Sequence, residues 1–184
     1  PVPVFISRSY DLPEFVDRNT LVFSISYSGN TEETLSAVRK AFGKGCKVVA
    51  VTSGGKLKQL FSSSNRPYIS LPSGLQPRAS LAYQLVPMLN LLSNVGVIPN
   101  VSGEIRKTID SLKGSDKKYD ERARSLAEKL VGKVPIIYAS EHFGSVAYRW
   151  KTQFNENAKI HAFTHSFSEL NHNELVGYVK INAN

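Results

Sequence analysis

Residues 26–35, SYSGNTEETL, set Ser26, Ser28 and Thr31 around Gly29, between an apolar run and the start of a helix. Hydroxyls donate hydrogen bonds, glycine lets backbone amides come close to a ligand, and a helix N-terminus adds unpaired N–H groups at the positive end of its dipole. Together these features make an anion cradle. The plainer use of the same residues is a helix cap: Asn30 and Glu33 have capping-box spacing, and Glu32 and Glu33 suit a first turn. Capping leaves the preceding serines unexplained, and no lysine follows as it would in a P-loop.

Other residues of chemical type lie further along. Glu156 falls in the last turn of a predicted helix, where carbonyl ends disfavour an anion, so its charge suits a general base better than a solvated surface. Arg78 is the reverse case, a cation near the positive end of a helix, to which an oxyanion in a crevice would supply counter-charge; its plainer use is a surface ion pair. His172 in LNHNE is a polar loop histidine or, facing a crevice, a proton donor. His161 and His165 are four apart, a spacing that aligns two metal ligands only on a helix, and this run reads as strand and turn. No metal and no cofactor is therefore expected. Cys46 begins a strand and reads as a small buried hydrophobe.

The elements that must carry these residues follow from periodicity. Residues 19–26 and 47–52 are short, apolar and β-branched, as buried strands are, and between them Leu35, Val38 and Phe42, with Ala37 and Ala41, mark the inner face of a helix starting near Asn30. Gly43 and Gly45 end it. Strand, loop, helix and strand predict parallel pairing. A third run, residues 66–71, leads to an apolar helix over residues 79–92 that Pro87 should start, break or kink. Residues 111–124 are polar, so a linker or exposed helix start belongs near Gly114. Beyond it residues 134–140 read as a strand, 144–157 as a helix with Val146, Ala147, Trp150 and Phe154 inward, and 160–164 as another strand. The expected fold is α/β, with two lobes (residues 1–112 and 113–184), each a parallel sheet flanked by helices, and ligands at the strand carboxyl ends.

Bulk properties narrow the function. The 184 residues can bury a sizeable core, and hydrophobic content of 41% comes with no apolar run long enough for a membrane span. A single cysteine excludes an internal disulfide and a multi-cysteine metal cluster, fits a reducing compartment, and supports a cytoplasmic reading. The net charge of +8 is compatible with an anionic ligand or a basic surface. Its lysines and arginines are scattered, without the aromatic-interleaved stripe of a single-strand nucleic-acid binder, so neither nucleic acid nor membrane is an expected partner. The chain begins at Pro1 with no charged-then-apolar leader.

SYSGNTEETL resembles the phosphate-binding loop of sugar isomerase (SIS) domains, in particular that of the bifunctional phosphoglucose/phosphomannose isomerases. GLQPRASLAY (74–83) resembles that family's arginine-bearing segment, VAYRWKTQFNENAK (146–159) its glutamate-bearing helix, and ELNHNELVGY (169–178) its histidine-bearing segment. The resemblance implies a phosphorylated hexose substrate and an aldose–ketose isomerisation through an enediol. Ser26, Ser28 and Thr31 would bind the phosphate, Glu156 would move a proton between C2 and C1, His172 would assist ring opening, and Arg78 would stabilise the enediolate. It also implies a homodimer, with the histidine supplied by the partner subunit. The family has a Gly-Gly-Ser loop upstream and a closing helix near its C-terminus, which the resemblance places outside residues 1–184, so both lobes are expected to be partial. The rival reading is a non-catalytic sugar-phosphate sensor, which needs the loop but neither Glu156 nor His172; the helix-turn-helix often joined to such sensors is not evident.

Overall fold

The computed structural model describes residues 2–179, and the chain divides into two compact units, Pro1–Ser111 and Leu112–Asn184.

In the first unit β1 (Leu21–Ile25), β2 (Lys47–Thr52) and β3 (Tyr68–Ser70) form a parallel sheet in that order, with Leu21 opposite Lys47 and Ala50 opposite Tyr68. The connections are α1 (Glu32–Gly43) and α2 (Gly55–Ser63), so each strand feeds a helix as parallel pairing requires. β2 is central: every residue after Lys47 is buried, which is why this segment is an unbroken apolar run ending in Thr52. Val48 and Ala50 share a core with Val16, Leu35, Val38, Ala41, Cys46, Leu57 and Phe61. The inner face of α1 is thus Leu35, Val38 and Ala41, with Phe42 packed at the margin beside Phe61. Cys46 is buried, and its thiol donates to the Asp17 carbonyl at 3.0 Å. Deleting a buried side chain such as Phe61 removes about 3–5 kcal/mol in comparable cores, so this cluster fixes the sheet whose edge carries the loop.

Pro87 does not start or break its helix. α3 (Leu81–Asn94) runs through it, one backbone N–H poorer, after a 3-10 turn (Pro77–Ala79) that bears Arg78. The buried Ser80 hydroxyl joins the two, donating to the Pro77 carbonyl at 2.7 Å and accepting from the Gln84 amide at 2.6 Å. α4 (Ser102–Leu112) was not foreseen as an element. Gly114, at φ +69°, turns the chain from it into α5 (Asp116–Leu130), and neither helix buries a residue.

The second unit pairs β4 (Ile136–Ser140) in parallel with β5 (Phe163–Phe167), with α6 (Gly144–Gln153) between them in sequence. β5 begins three residues later than the pattern at 160–164 implied, because pairing starts where the Phe163 N–H meets the Pro135 carbonyl at 3.0 Å. Residues before it close a π-helical turn, Phe154–Ala158, ended by Lys159 in the left-handed region at φ 57°. Within α6 only Ala147 is buried; Val146 (50% exposed) and Trp150 (47%) face outward, contrary to the inward face read from periodicity. Two short helices follow, α7 (Glu169–His172), anchored by fully buried Leu170, and α8 (Glu174–Gly177). Among the described residues no helix is long and apolar enough to cross a membrane.

Candidate functional site

The hydroxyl loop leaves β1 at its carboxyl end and enters α1, the place where open α/β sheets bind ligands. Ser26 is 5% exposed and acts inside the loop: its hydroxyl shares a 2.8 Å hydrogen bond with Thr31 Oγ1 and accepts from the Gly29 N–H at 3.1 Å. Ser28 and Thr31 are exposed. Ser28 accepts from the Asn30 N–H at 3.3 Å, which leaves its own hydroxyl hydrogen to point elsewhere. Gly29 sits at φ +69°, and a Cβ built there would lie 1.8 Å from the Gly54 carbonyl oxygen, so only glycine fits.

The capping reading of this segment fails on geometry. Thr31, not Asn30, precedes α1, and no side chain caps the helix. Asn30 is turned away, its Oδ1 accepting from the Lys56 N–H at 3.1 Å in the first turn of α2. The first turn of α1 therefore has no side-chain acceptor of its own, although Glu32 and Glu33 stand in it.

Sequence reading missed the second half of the cradle, residues 52–55 (TSGG). The Tyr27 carbonyl accepts from the Ser53 N–H at 3.0 Å and the Ser53 hydroxyl at 2.6 Å, and the Gly29 carbonyl accepts from the Leu57 N–H at 2.8 Å. Thr52, fully buried, donates to the Gly54 carbonyl at 3.0 Å. Gly55, at φ +66°, would place a Cβ 2.3 Å from the Ser28 carbonyl. The signal was there in hindsight: a strand ending in small and hydroxyl residues just ahead of a helix occurs twice in succession. Tyr27 adds a third tie, its hydroxyl donating to the Pro72 carbonyl at 2.7 Å and accepting from the Leu75 N–H at 2.9 Å. It binds the loop to the segment that leads into half-buried Arg78.

Glu156 and His172 belong to the second unit. Glu156 is exposed in the π-helical turn, and its backbone carbonyl accepts from Lys159 Nζ at 2.5 Å while Asn155 Nδ2 donates to the Ile160 carbonyl at 2.8 Å. The glutamate thus sits on an irregular turn rather than on the last regular turn of an α-helix. His172 is exposed at the end of α7, on a helix rather than in a loop. The two lie on separate elements of that unit. His161 is exposed before β5 and His165 lies within it, and no group of three or more metal-ligating side chains occurs among the described residues.

His165 has another role, also missed from sequence. Its Nδ1 lies 2.7 Å from Glu174 Oε2, and Tyr138, its register partner on β4, donates to Glu174 Oε1 at 2.5 Å. These two bonds, that of Tyr138 first, hold the Glu174 carboxyl below the usual carboxylate range, while the acceptor raises the Tyr138 hydroxyl.

Residues 119–184 match the family described as the bacterial phospho-glucose isomerase C-terminal SIS domain. Across 96% of its length the chain is 46% identical to the bifunctional phosphoglucose/phosphomannose isomerase of Caldicellulosiruptor bescii, of which it covers 54%. It belongs to the SIS-domain sugar isomerase family. This SIS-domain chain is also 37% identical, over 97% of its length, to the D-glucosamine-6-phosphate 4-epimerase of Sulfolobus acidocaldarius, covering 56% of it. It therefore spans about half the length of these curated relatives. In fold it resembles the C-terminal domain of glucosamine-fructose-6-phosphate aminotransferase from Francisella tularensis, with a TM-score of 0.66 at 19% identity, 85% of this chain covering 47% of that one.

Proposed function

We propose that this chain is part of an enzyme that interconverts glucose 6-phosphate, and also mannose 6-phosphate, with fructose 6-phosphate through an enediol. The observation that carries the reading is the hydroxyl loop, clamped by Asn30 and residues 52–55 so that Ser28 and Thr31 are exposed beside the uncapped start of α1, in a chain 46% identical to a bifunctional isomerase. Ser28 and Thr31 donate to the phosphate, and Ser26 holds Thr31 and Gly29 in place. His172 passes a proton to the ring oxygen as the C1–O5 bond opens, and the C1 hydroxyl gives up its own proton to leave the aldehyde. Glu156 takes the proton from C2 of the open aldose, the electron pair moves into the C1–C2 bond, and the carbonyl oxygen becomes an enediolate oxygen whose charge Arg78 offsets. A proton then passes from O2 to O1, and as Glu156 returns its proton to C1 the electron pair on O2 forms the C2 carbonyl of the ketose. We read residues 1–112 and 113–184 as two SIS domains, and the working protein as a cytoplasmic homodimer.

Ser28→Ala and Thr31→Val should each weaken binding of a phosphorylated sugar acid by about 1 kcal/mol or more, the worth of a charge-assisted hydrogen bond, with folding intact. Titration calorimetry checks this; unchanged affinity makes the loop a structural turn only. Enediol chemistry needs a base and charge stabilisation but no Lewis acid, so EDTA should leave the rate unchanged. Loss of activity in EDTA with recovery in zinc would return His161 and His165 to consideration.

The 37% identical epimerase favours one second reading, inversion at C4 of a hexosamine 6-phosphate. Incubating the full-length protein with fructose 6-phosphate and, separately, with glucosamine 6-phosphate decides between them. Aldose 6-phosphates from the first support isomerisation, and galactosamine 6-phosphate from the second supports epimerisation.

A further inference from the structure

His172 is exposed, yet the residues around it in sequence are tied down on every side. Leu170, two residues before it, is fully buried. Asn173, directly after it, donates from Nδ2 to Glu169 Oε1 at 2.7 Å and accepts from the Glu174 N–H at 2.6 Å, closing α7 onto α8. Glu174 then reaches both strands, its carboxylate bound by Tyr138 of β4 at 2.5 Å and by His165 of β5 at 2.7 Å. The Tyr138 hydroxyl also meets that of Tyr178 at 2.8 Å, so the far end of α8 is held by the same group. The side chains of His165 and Glu174 are only 35% and 33% exposed, which shields this contact in part. Glu174 stands two residues after His172, so its bonds to both strands fix the backbone that carries the exposed imidazole.

We propose that Tyr138, His165 and Glu174 form a latch that positions His172 for ring opening, with Glu174 a positioning residue that itself touches no substrate. The inference rests on the isomerase reading. It predicts that loosening the latch harms the ring-opening step and spares the enediol step, because Glu156 is carried by a different element. The two steps separate with erythrose 4-phosphate, an aldose phosphate that cannot close a ring because the hydroxyl it would use carries the phosphate.

The full-length protein should be assayed with glucose 6-phosphate and with erythrose 4-phosphate, as wild type, Glu174→Ala and Tyr138→Phe. For Glu174→Ala, kcat with glucose 6-phosphate should fall about tenfold or more, as expected when an acid–base group is misaligned, while KM moves less than about twofold and the erythrose 4-phosphate rate stays within about twofold. Tyr138→Phe, which deletes one oxygen, should show the same split with a smaller loss and decides the matter if Glu174→Ala does not fold. Equal losses with both sugars, or no loss with either, overturn the latch. The isomerase reading is read separately, from wild-type turnover of glucose 6-phosphate, whose absence removes the reaction that the latch serves.

Discussion

Glu156→Gln is expected to cost roughly a hundredfold or more in turnover of fructose 6-phosphate while leaving the affinity for a phosphorylated sugar acid nearly unchanged. The amide keeps the size of the carboxyl but cannot accept a carbon-bound proton. In the proposed reading binding depends on the loop of the first unit, so the two properties should separate: kcat collapses and inhibitor binding persists. The irregular turn strengthens the expectation. Holding Phe154–Ala158 in a π-helical turn ended by a left-handed lysine goes against the backbone's preference for a regular helix, and such turns occur often at functional sites. Kinetics and calorimetry on the same preparation check both halves. A variant with near-normal turnover would remove Glu156 from the mechanism.

Gly29→Ala should have the largest effect on the fold. A Cβ at that position meets the Gly54 carbonyl oxygen at 1.8 Å and Thr52 Oγ1 at 2.9 Å, on a backbone at φ +69°. Left-handed strain and a clash with backbone that cannot swing aside together should cost roughly 3 kcal/mol or more. The loop and residues 52–55 would have to part, which would remove the proposed phosphate site as well. Urea unfolding should show the drop in midpoint with little change in slope, and calorimetry the loss of sugar-phosphate binding. A variant within about 1 kcal/mol of wild type that still binds would mean that the close approach of the two loops is not what shapes the cradle.

The parallel sheet of the first unit was legible because β2 is buried on both faces and α1 on one, and both leave a mark in composition: the run KVVAVT and the spacing of Leu35, Val38 and Ala41. The hydroxyl loop was legible because its residues are contiguous. What joins it to residues 52–55 was not, since Asn30 accepting from the Lys56 N–H depends on the sheet bringing two loops to the same edge, and local spacing offered Asn30 a cap instead. The second unit was harder for a related reason. With few buried positions, apolar spacing there no longer reports an inward face, so Val146 and Trp150 were misplaced, and the start of β5 was set by a partner carbonyl rather than by its own residues. The Tyr138–His165–Glu174 cluster exists only through strand register, which puts Tyr138 beside His165, and no motif announces it. The identities of Glu156, His172 and Arg78 came through family likeness; their placement on a π-helical turn, a short helix and a 3-10 turn had to come from the structure.

The central claim, proton transfer through an enediol, is tested most directly by running the full-length wild-type protein on fructose 6-phosphate in deuterated water and analysing the aldose product by NMR and mass spectrometry. The account predicts glucose 6-phosphate and mannose 6-phosphate carrying deuterium at C2, less than one atom per molecule where the shielded carboxyl returns the original proton. Absence of any aldose 6-phosphate, or its formation at full rate with no deuterium at C2, would contradict it.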